Sequence, residues 1–219
     1  MFIAETPKII EEFISAGFEL KYLFSTDLSL FPHHQAIEIE EKDLRTMSSL
    51  VAPNICLAIF SFQKREIIPT NGLQLALDAV RDPGNLGAII RLCDWFGLPH
   101  LICSRDTVDC YNPKVIQSSM GSLARVEVVY VDLKAYLQQT KKPIYGAFME
   151  GKSIYEEQFS NNAILVMGNE ANGISSEIQD VIQHSISIPR FGKLQETESL
   201  NVATATAIIL SEYKRTTET

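Results

Sequence analysis

The sequence lacks any apolar run of the about 18 residues that a membrane-spanning helix requires. The longest candidate, 203–210, is short and broken by Thr204 and Thr206. No signal-peptide core develops either, since Met1-Phe2-Ile3-Ala4 runs straight into Glu5. There is no Gly-x-Gly-x-x-Gly turn, no Gly-Lys-Ser/Thr phosphate loop, no Gly-x-Ser-x-Gly elbow and no His-Glu-x-x-His pair. Dinucleotide, P-loop, serine-hydrolase and zinc-protease readings therefore have no residues to rest on. Cysteine is scarce: Cys56, Cys93, Cys103 and Cys110 form no Cys-x-x-Cys pair and no Cys/His spacing for a metal. They read as reduced, mostly buried thiols of a cytoplasmic protein, with no metal site. Positive charge is also short, with a formal net charge of −8. That argues against a protein that coats nucleic acid nonspecifically, and leaves room for a local basic patch.

What is present is ordinary globular material, 219 residues of which 46% are hydrophobic, enough for one large domain or two small ones. Thr6 as N-cap and Pro7 at the first helical position start a helix whose apolar face is Ile9, Ile10, Phe13 and Ile14, ended by Gly17. Strands are expected at 20–24, 36–39 and 55–60 with a helix at 41–50, which makes a small α/β unit over residues 1–66. Residues 67–72 have the composition of a linker, with Pro69-Thr70-Asn71-Gly72 as turn chemistry. Beyond it the pattern alternates. Strands are expected at 73–80, 98–103, 126–131, 144–148, 163–167 and 185–188, and helices at 86–96, 112–120, 132–140, 174–183 and 200–214. This predicts an α/β fold whose second part, 73–219, is a mostly parallel sheet with helices on both faces. Acidic excess is shared evenly between the two parts, so charge does not distinguish their roles.

Three strand-to-helix corners carry small polar residues where packing alone would not call for them. They are Asp82-Pro83-Gly84-Asn85-Leu86-Gly87 running on to Arg91, Gly168-Asn169-Glu170-Ala171-Asn172-Gly173, and Glu198-Ser199-Leu200-Asn201-Val202-Ala203. Three such corners predict one composite site at one edge of a parallel sheet. Arg91 lies among Ile90, Leu92, Cys93, Trp95 and Phe96; it serves either a substrate phosphate or an ion pair with Asp94 or a distant carboxylate. Gly168 allows a close approach to the backbone. Glu170 either acts in the site or accepts turn amides and caps the next helix, and Ser199 is a sufficient N-cap. Asn201 has less structural reason to be there; its amide can hold a base, a ribose hydroxyl or another loop. His33-His34, His100 and His184 have no ligand spacing around them. Arg81, Arg105, Lys114 and Arg125 are the candidates for a basic substrate face.

The stretches LALDAVRDPGNLGAIIRLCDWFG (75–97), ILVMGNEANGIS (164–175) and ISIPRFG…ESLNVATATAIIL (186–210) together resemble the TrmH/SpoU family of RNA ribose 2′-O-methyltransferases, of the SPOUT superfamily. The resemblance covers about residues 73–215. It implies a parallel sheet whose C-terminal segment is threaded into a deep trefoil knot, which strand-helix alternation alone would never suggest. It also implies S-adenosyl-L-methionine held in the knot, and a homodimer. Residue by residue, Asn85, Arg91, Glu170, Ser199 and Asn201 fall on catalytic positions, and Gly168, Ile188, Leu200, Asn201 and Ala203 on cofactor positions.

Residues 1–66 resemble the small substrate-binding domain that precedes the knot domain in many members; FIAETPKIIEEFISAG matches a family stretch with Thr6 where glycine is common. The family's basic lead-in is not seen ahead of Met1-Phe2, which implies a small domain shortened at its start. The loop 190–197 is longer and more polar than the family's Ile-Pro-Met-x-Gly link. The implied activity is methylation of a ribose 2′-hydroxyl in structured RNA, ribosomal RNA ahead of transfer RNA. A non-catalytic RNA-binding or assembly module with the same fold is the reading from another class.

Overall fold

The computed structural model describes residues 1–50, 55–63, 71–192 and 199–217. Most of the expected linker and the polar part of the 190–197 loop lie outside these.

The first part contains β1 (Phe2–Glu5), α1 (Pro7–Ser15), β2 (Leu20–Ser25), β3 (Ile37–Glu38), α2 (Glu41–Met47) and β4 (Cys56–Phe60). They form a four-stranded sheet in the order β1-β4-β2-β3, antiparallel except for the β2–β3 pair. Thr6 caps α1 through its hydroxyl, as its position before Pro7 predicts. β1 was not expected. Four residues at the start of the chain carry no readable period, and it is the pairing with β4 that makes them a strand.

The second part contains β5 (Gln74–Leu77), α3 (Pro83–Trp95), β6 (His100–Ser104), α4 (Pro113–Ser119), β7 (Glu127–Val131), α5 (Leu133–Gln139), β8 (Ile144–Ser153), β9 (Ile164–Met167), α6 (Ser176–Gln179), β10 (His184–Ser187) and α7 (Val202–Thr217). The strands form a six-stranded sheet, all parallel, in the order β10-β8-β9-β5-β6-β7. Its central strands β5, β6 and β9 are buried along their whole length, which is why they read as unbroken apolar runs. Helices α3, α4 and α5 begin on side-chain caps from Asp82, Asn112 and Asp132. β8 runs five residues beyond the expected 144–148. Its pairing with β10 shifts register between Ser185 and Ile186, which carries Phe148 and Met149 out past the sheet. α6 is four residues rather than the ten expected.

The two sheets share one buried cluster rather than holding separate cores. Phe2 of β1 stacks on Tyr111 at 4.6 Å between ring centroids and also packs against Phe13, Phe18 and Phe60. Arg125 closes the joint, donating to both carboxylate oxygens of Asp94 and to Glu12 of α1. Arg125 is therefore an architectural residue, not a free candidate for substrate. All four cysteines are buried and none is in a disulfide. Burial pushes the Cys56 thiol up to about 12 and the Cys93 and Cys103 thiols up as well, so none of these three is a ready nucleophile. Among the described residues no helix is long and apolar enough to cross a membrane, and no acidic, His or Cys cluster could hold a metal.

Candidate active site

The first two corners and residues 199–203 of the third lie at the C-terminal edge of the parallel sheet, after β5, β9 and β10, where ligands bind in open α/β sheets; Glu198 lies outside the described residues. The first two are stitched together by side-chain bonds to backbone groups. Asp78, at the end of β5, accepts from the Ser175 amide at 2.7 Å. The Asn169 side chain donates to the Ala79 carbonyl at 2.6 Å. Asn169 Oδ1 also accepts the amides of Ala171 and Asn172. Ala79 holds a left-handed φ of 56°, with its amide on Ser104 Oγ at 2.8 Å. Neither Asp78 nor Asn169 was singled out from sequence, although a lone carboxylate in the apolar run 75–80 was a readable signal for the first.

Three of the side chains expected at catalytic positions meet across these corners. Asn85 donates through Nδ2 to Glu170 Oε1 at 2.8 Å, and Asn201 donates through Nδ2 to Asn85 Oδ1 at 2.8 Å. Asn201 Oδ1 accepts the amides of Ala203 and Thr204 in the first turn of α7. Asn201 is thus the helix cap, and Ser199, the expected cap, makes no hydrogen bond with a described residue. The chain of bonds has one direction. Because the α7 amides claim Asn201 Oδ1, its NH₂ faces Asn85, whose NH₂ in turn faces Glu170, so Glu170 is an acceptor. Glu170 does not take the turn amides, because Asn169 does. Asp94 is not the partner of Arg91, because Arg125 holds it and keeps its carboxyl below the usual range. Arg91 is exposed on α3 and makes no ion pair with a described residue.

Beside this polar chain opens a cleft of about 1500 Å³ between the bulged middle of β8, the 168–174 loop and α7. Gly168, Glu170, Ile188, Ser199 and Leu200 line it, while Asn85, Arg91, Asn201 and Ala203 do not. Ala203 packs into the core, its amide spent on Asn201. Phe148, Met149 and Gln179 also line the cleft and were missed: Phe148 read only as the end of a strand, and Met149 lies in the extension of β8, which has no sequence period. A Cβ on Gly168 would meet backbone atoms of Gly173 and Ile174 at 2.3 Å. Gly168 is required first by the folding of its own loop.

Residues 72–211 match the SpoU rRNA Methylase family. Over 218 residues the chain is 27% identical to the 23S rRNA (guanosine(2553)-2'-O)-methyltransferase RlmP of Bacillus subtilis, covering 95% of this chain and 86% of that protein. A solved TrmH-family structure from Porphyromonas gingivalis superposes with a TM-score of 0.85 at 37% identity, over 98% of this chain and 89% of that one. An AdoMet-bound rRNA methyltransferase from Sinorhizobium meliloti gives 0.84 at 27% identity, over 98% and 87% of the two chains.

Proposed function

The chain belongs to the SpoU rRNA methylase family, and from that premise we propose that it methylates a ribose 2′-hydroxyl of ribosomal RNA with S-adenosyl-L-methionine as donor. The observation that carries this reading is the Asn201–Asn85–Glu170 chain, which joins three distant segments beside one deep cleft. Ribosomal RNA is favoured over transfer RNA because the likeness to RlmP runs through the small sheet as well as the large one.

The cleft suits the donor. Its walls include Met167, Ile186, Ile188, Leu200 and Val202, apolar surface for an adenine, with the backbone of the 168–173 loop at the rim. When bound there, the donor supplies a methyl group already activated on a sulfonium. The protein then has to orient the 2′-oxygen, exclude water and manage its proton. A guanidinium with a pKa above about 12 is a poor base, so we assign Arg91 to a substrate phosphate and to the charge growing on the 2′-oxygen. Glu170, held as an acceptor by Asn85, takes the hydrogen bond of the hydroxyl. Ser199 is free to bind substrate, and Asn201 orients Asn85.

Four further features belong to this reading. We take residues 1–66 as an RNA substrate-binding domain, 67–72 as a linker and 73–219 as the methyltransferase domain. We take the C-terminal segment to thread the deep trefoil knot of the family; the return of α7 to α3, after β10 has been laid at the far edge of the sheet, supports it. The chain acts as a homodimer, in the cytoplasm.

Calorimetric titration with S-adenosyl-L-methionine tests the cofactor site. Leu200 lines the cleft and is 47% exposed, so Leu200→Glu should abolish binding without unfolding the chain. A folded wild-type chain that takes up no heat would end the methyltransferase reading and bring the non-catalytic RNA-binding module forward.

A further inference from the structure

Most basic side chains outside the site edge are engaged. Arg125 is held by Asp94 and Glu12, Arg215 by Glu212, Arg45 by Glu41, Lys21 by Glu19, Lys42 by Glu40 and Lys152 by Glu157. Arg81, Arg91, Arg105 and Lys114 differ: each is exposed and none makes an ion pair with a described residue. Their placement is not scattered. Arg81 lies in the corner after β5, Arg105 directly after β6 and Lys114 in the first turn of α4.

Short bonds tie these positions to one another and to the site. The Ala79 amide on Ser104 Oγ joins the end of β5 to the residue before Arg105. The Val108 amide donates to the Val80 carbonyl at 3.0 Å, laying the loop after Arg105 beside Arg81. Ser118 of α4 donates to the Pro83 carbonyl at 3.1 Å, so α4 lies against the start of α3 two residues from Asn85. At its other side α4 meets β1 of the small sheet, where Pro113 and Ile116 face Ile3 and Glu5. Two nearby carboxylates are turned onto backbone amides and compete less for the cations, Asp82 on Asn85 and Asp109 on Tyr111; Asp106, exposed beside Arg105, is the one carboxylate along the row with no bond to a described residue, and it offsets part of that cation's charge.

We infer that this band, Arg91–Arg81–Arg105–Lys114, is the phosphate track of the RNA, leading from the site across α4 to the small sheet. It rests on the function proposed above and adds the path that the RNA backbone takes. A chain of net charge −8 repels RNA as a whole, so a local row of uncompensated cations is where phosphates can bind. Lys8, on α1 of the small sheet, Lys134, at the start of α5, and Lys141, at the opposite edge before β8, are likewise without an ion pair to a described residue, and the last two lie off this path.

The test uses the full chain and transcripts tiling 23S rRNA, with binding measured across a salt series. Arg81→Gln, Arg105→Gln and Lys114→Gln should each weaken binding and reduce the slope of log affinity against log salt by about 0.7–0.9. The triple variant should lose the sum, while donor binding by calorimetry stays at the wild-type value. Lys134→Gln and Lys141→Gln should leave the slope unchanged. Equal slopes in all single variants would overturn the track. A loss at Lys134 with none at Lys114 would overturn its direction, sending the RNA outward over β7. Donor binding without RNA binding at any salt overturns the track, whereas absence of donor binding with RNA slopes as expected overturns only the enzymatic reading.

Discussion

The site edge of the large sheet and the joint between the two sheets use the same residue types to opposite ends. At the joint, Arg125 is saturated by two carboxylates and the aromatic rings of Phe2 and Tyr111 are stacked. At the site edge, Arg91 has no described partner, and Glu170 answers one amide while lining an open cleft. Polar capacity that is used up holds the molecule together; capacity left over, on elements locked by other bonds, is what a substrate can meet. Substitutions on the two sides should therefore separate activity from stability.

The largest effect is expected from Arg91→Ala. If Arg91 meets the developing charge as we propose, its removal should lower kcat by about 10²- to 10³-fold. Stability and donor affinity should stay near wild type, read from methyl transfer beside calorimetry; full activity would take Arg91 out of the site. On the other side, Phe2→Ala should cost about 3 kcal/mol in urea unfolding, because a ring only 4% exposed leaves a cavity among other rings. Its donor affinity, measured below the transition, should hardly change.

Arg125→Ala sharpens the contrast between the two arginines. Its side chain is 45% exposed, so the loss should be near 1 kcal/mol rather than that of a buried pair. The sign with pH follows from Asp94, whose carboxyl is lowered first of all by the hydrogen bond from Arg125. A lowered carboxylate contributes stability that is present above the ordinary aspartate range and lost as pH falls below about 4. The variant should lose that part of the acid dependence, and it should bind RNA with an unchanged salt slope. Smallest is Ala79→Gly: relief of the left-handed φ of 56° should raise stability by about 0.5–1 kcal/mol, seen as a slightly higher Tm. A lower Tm would mean that the Ala79 methyl packs better than its backbone suffers.

Much of this architecture was readable because it is local. Asn112-Pro113 announces α4, and the apolar runs at 75–77 and 164–167 announce the central strands; α3 was expected from 86 and begins at Pro83, because Asp82 caps it. The composite site was readable as three similar corners, but not its wiring. Asn201 looked spare and Ser199 looked like the cap; the roles are reversed because Asn201 answers both the α7 amides and Asn85, 116 positions away. Arg125 looked available since its partner Glu12 lies 113 residues earlier. β1 and the far half of β8 gave no period, being strands by virtue of what they pair with.

The central claim is that the three corners form one ribose-methylating site. The most direct measurement is to incubate the wild-type chain and Asn85→Ala with labelled S-adenosyl-L-methionine and 23S rRNA, then map the label by resistance to alkaline cleavage. The account predicts label on a ribose 2′-oxygen for wild type, and its loss in Asn85→Ala with the donor still bound. Label on a base, or equal transfer by both proteins, would contradict it.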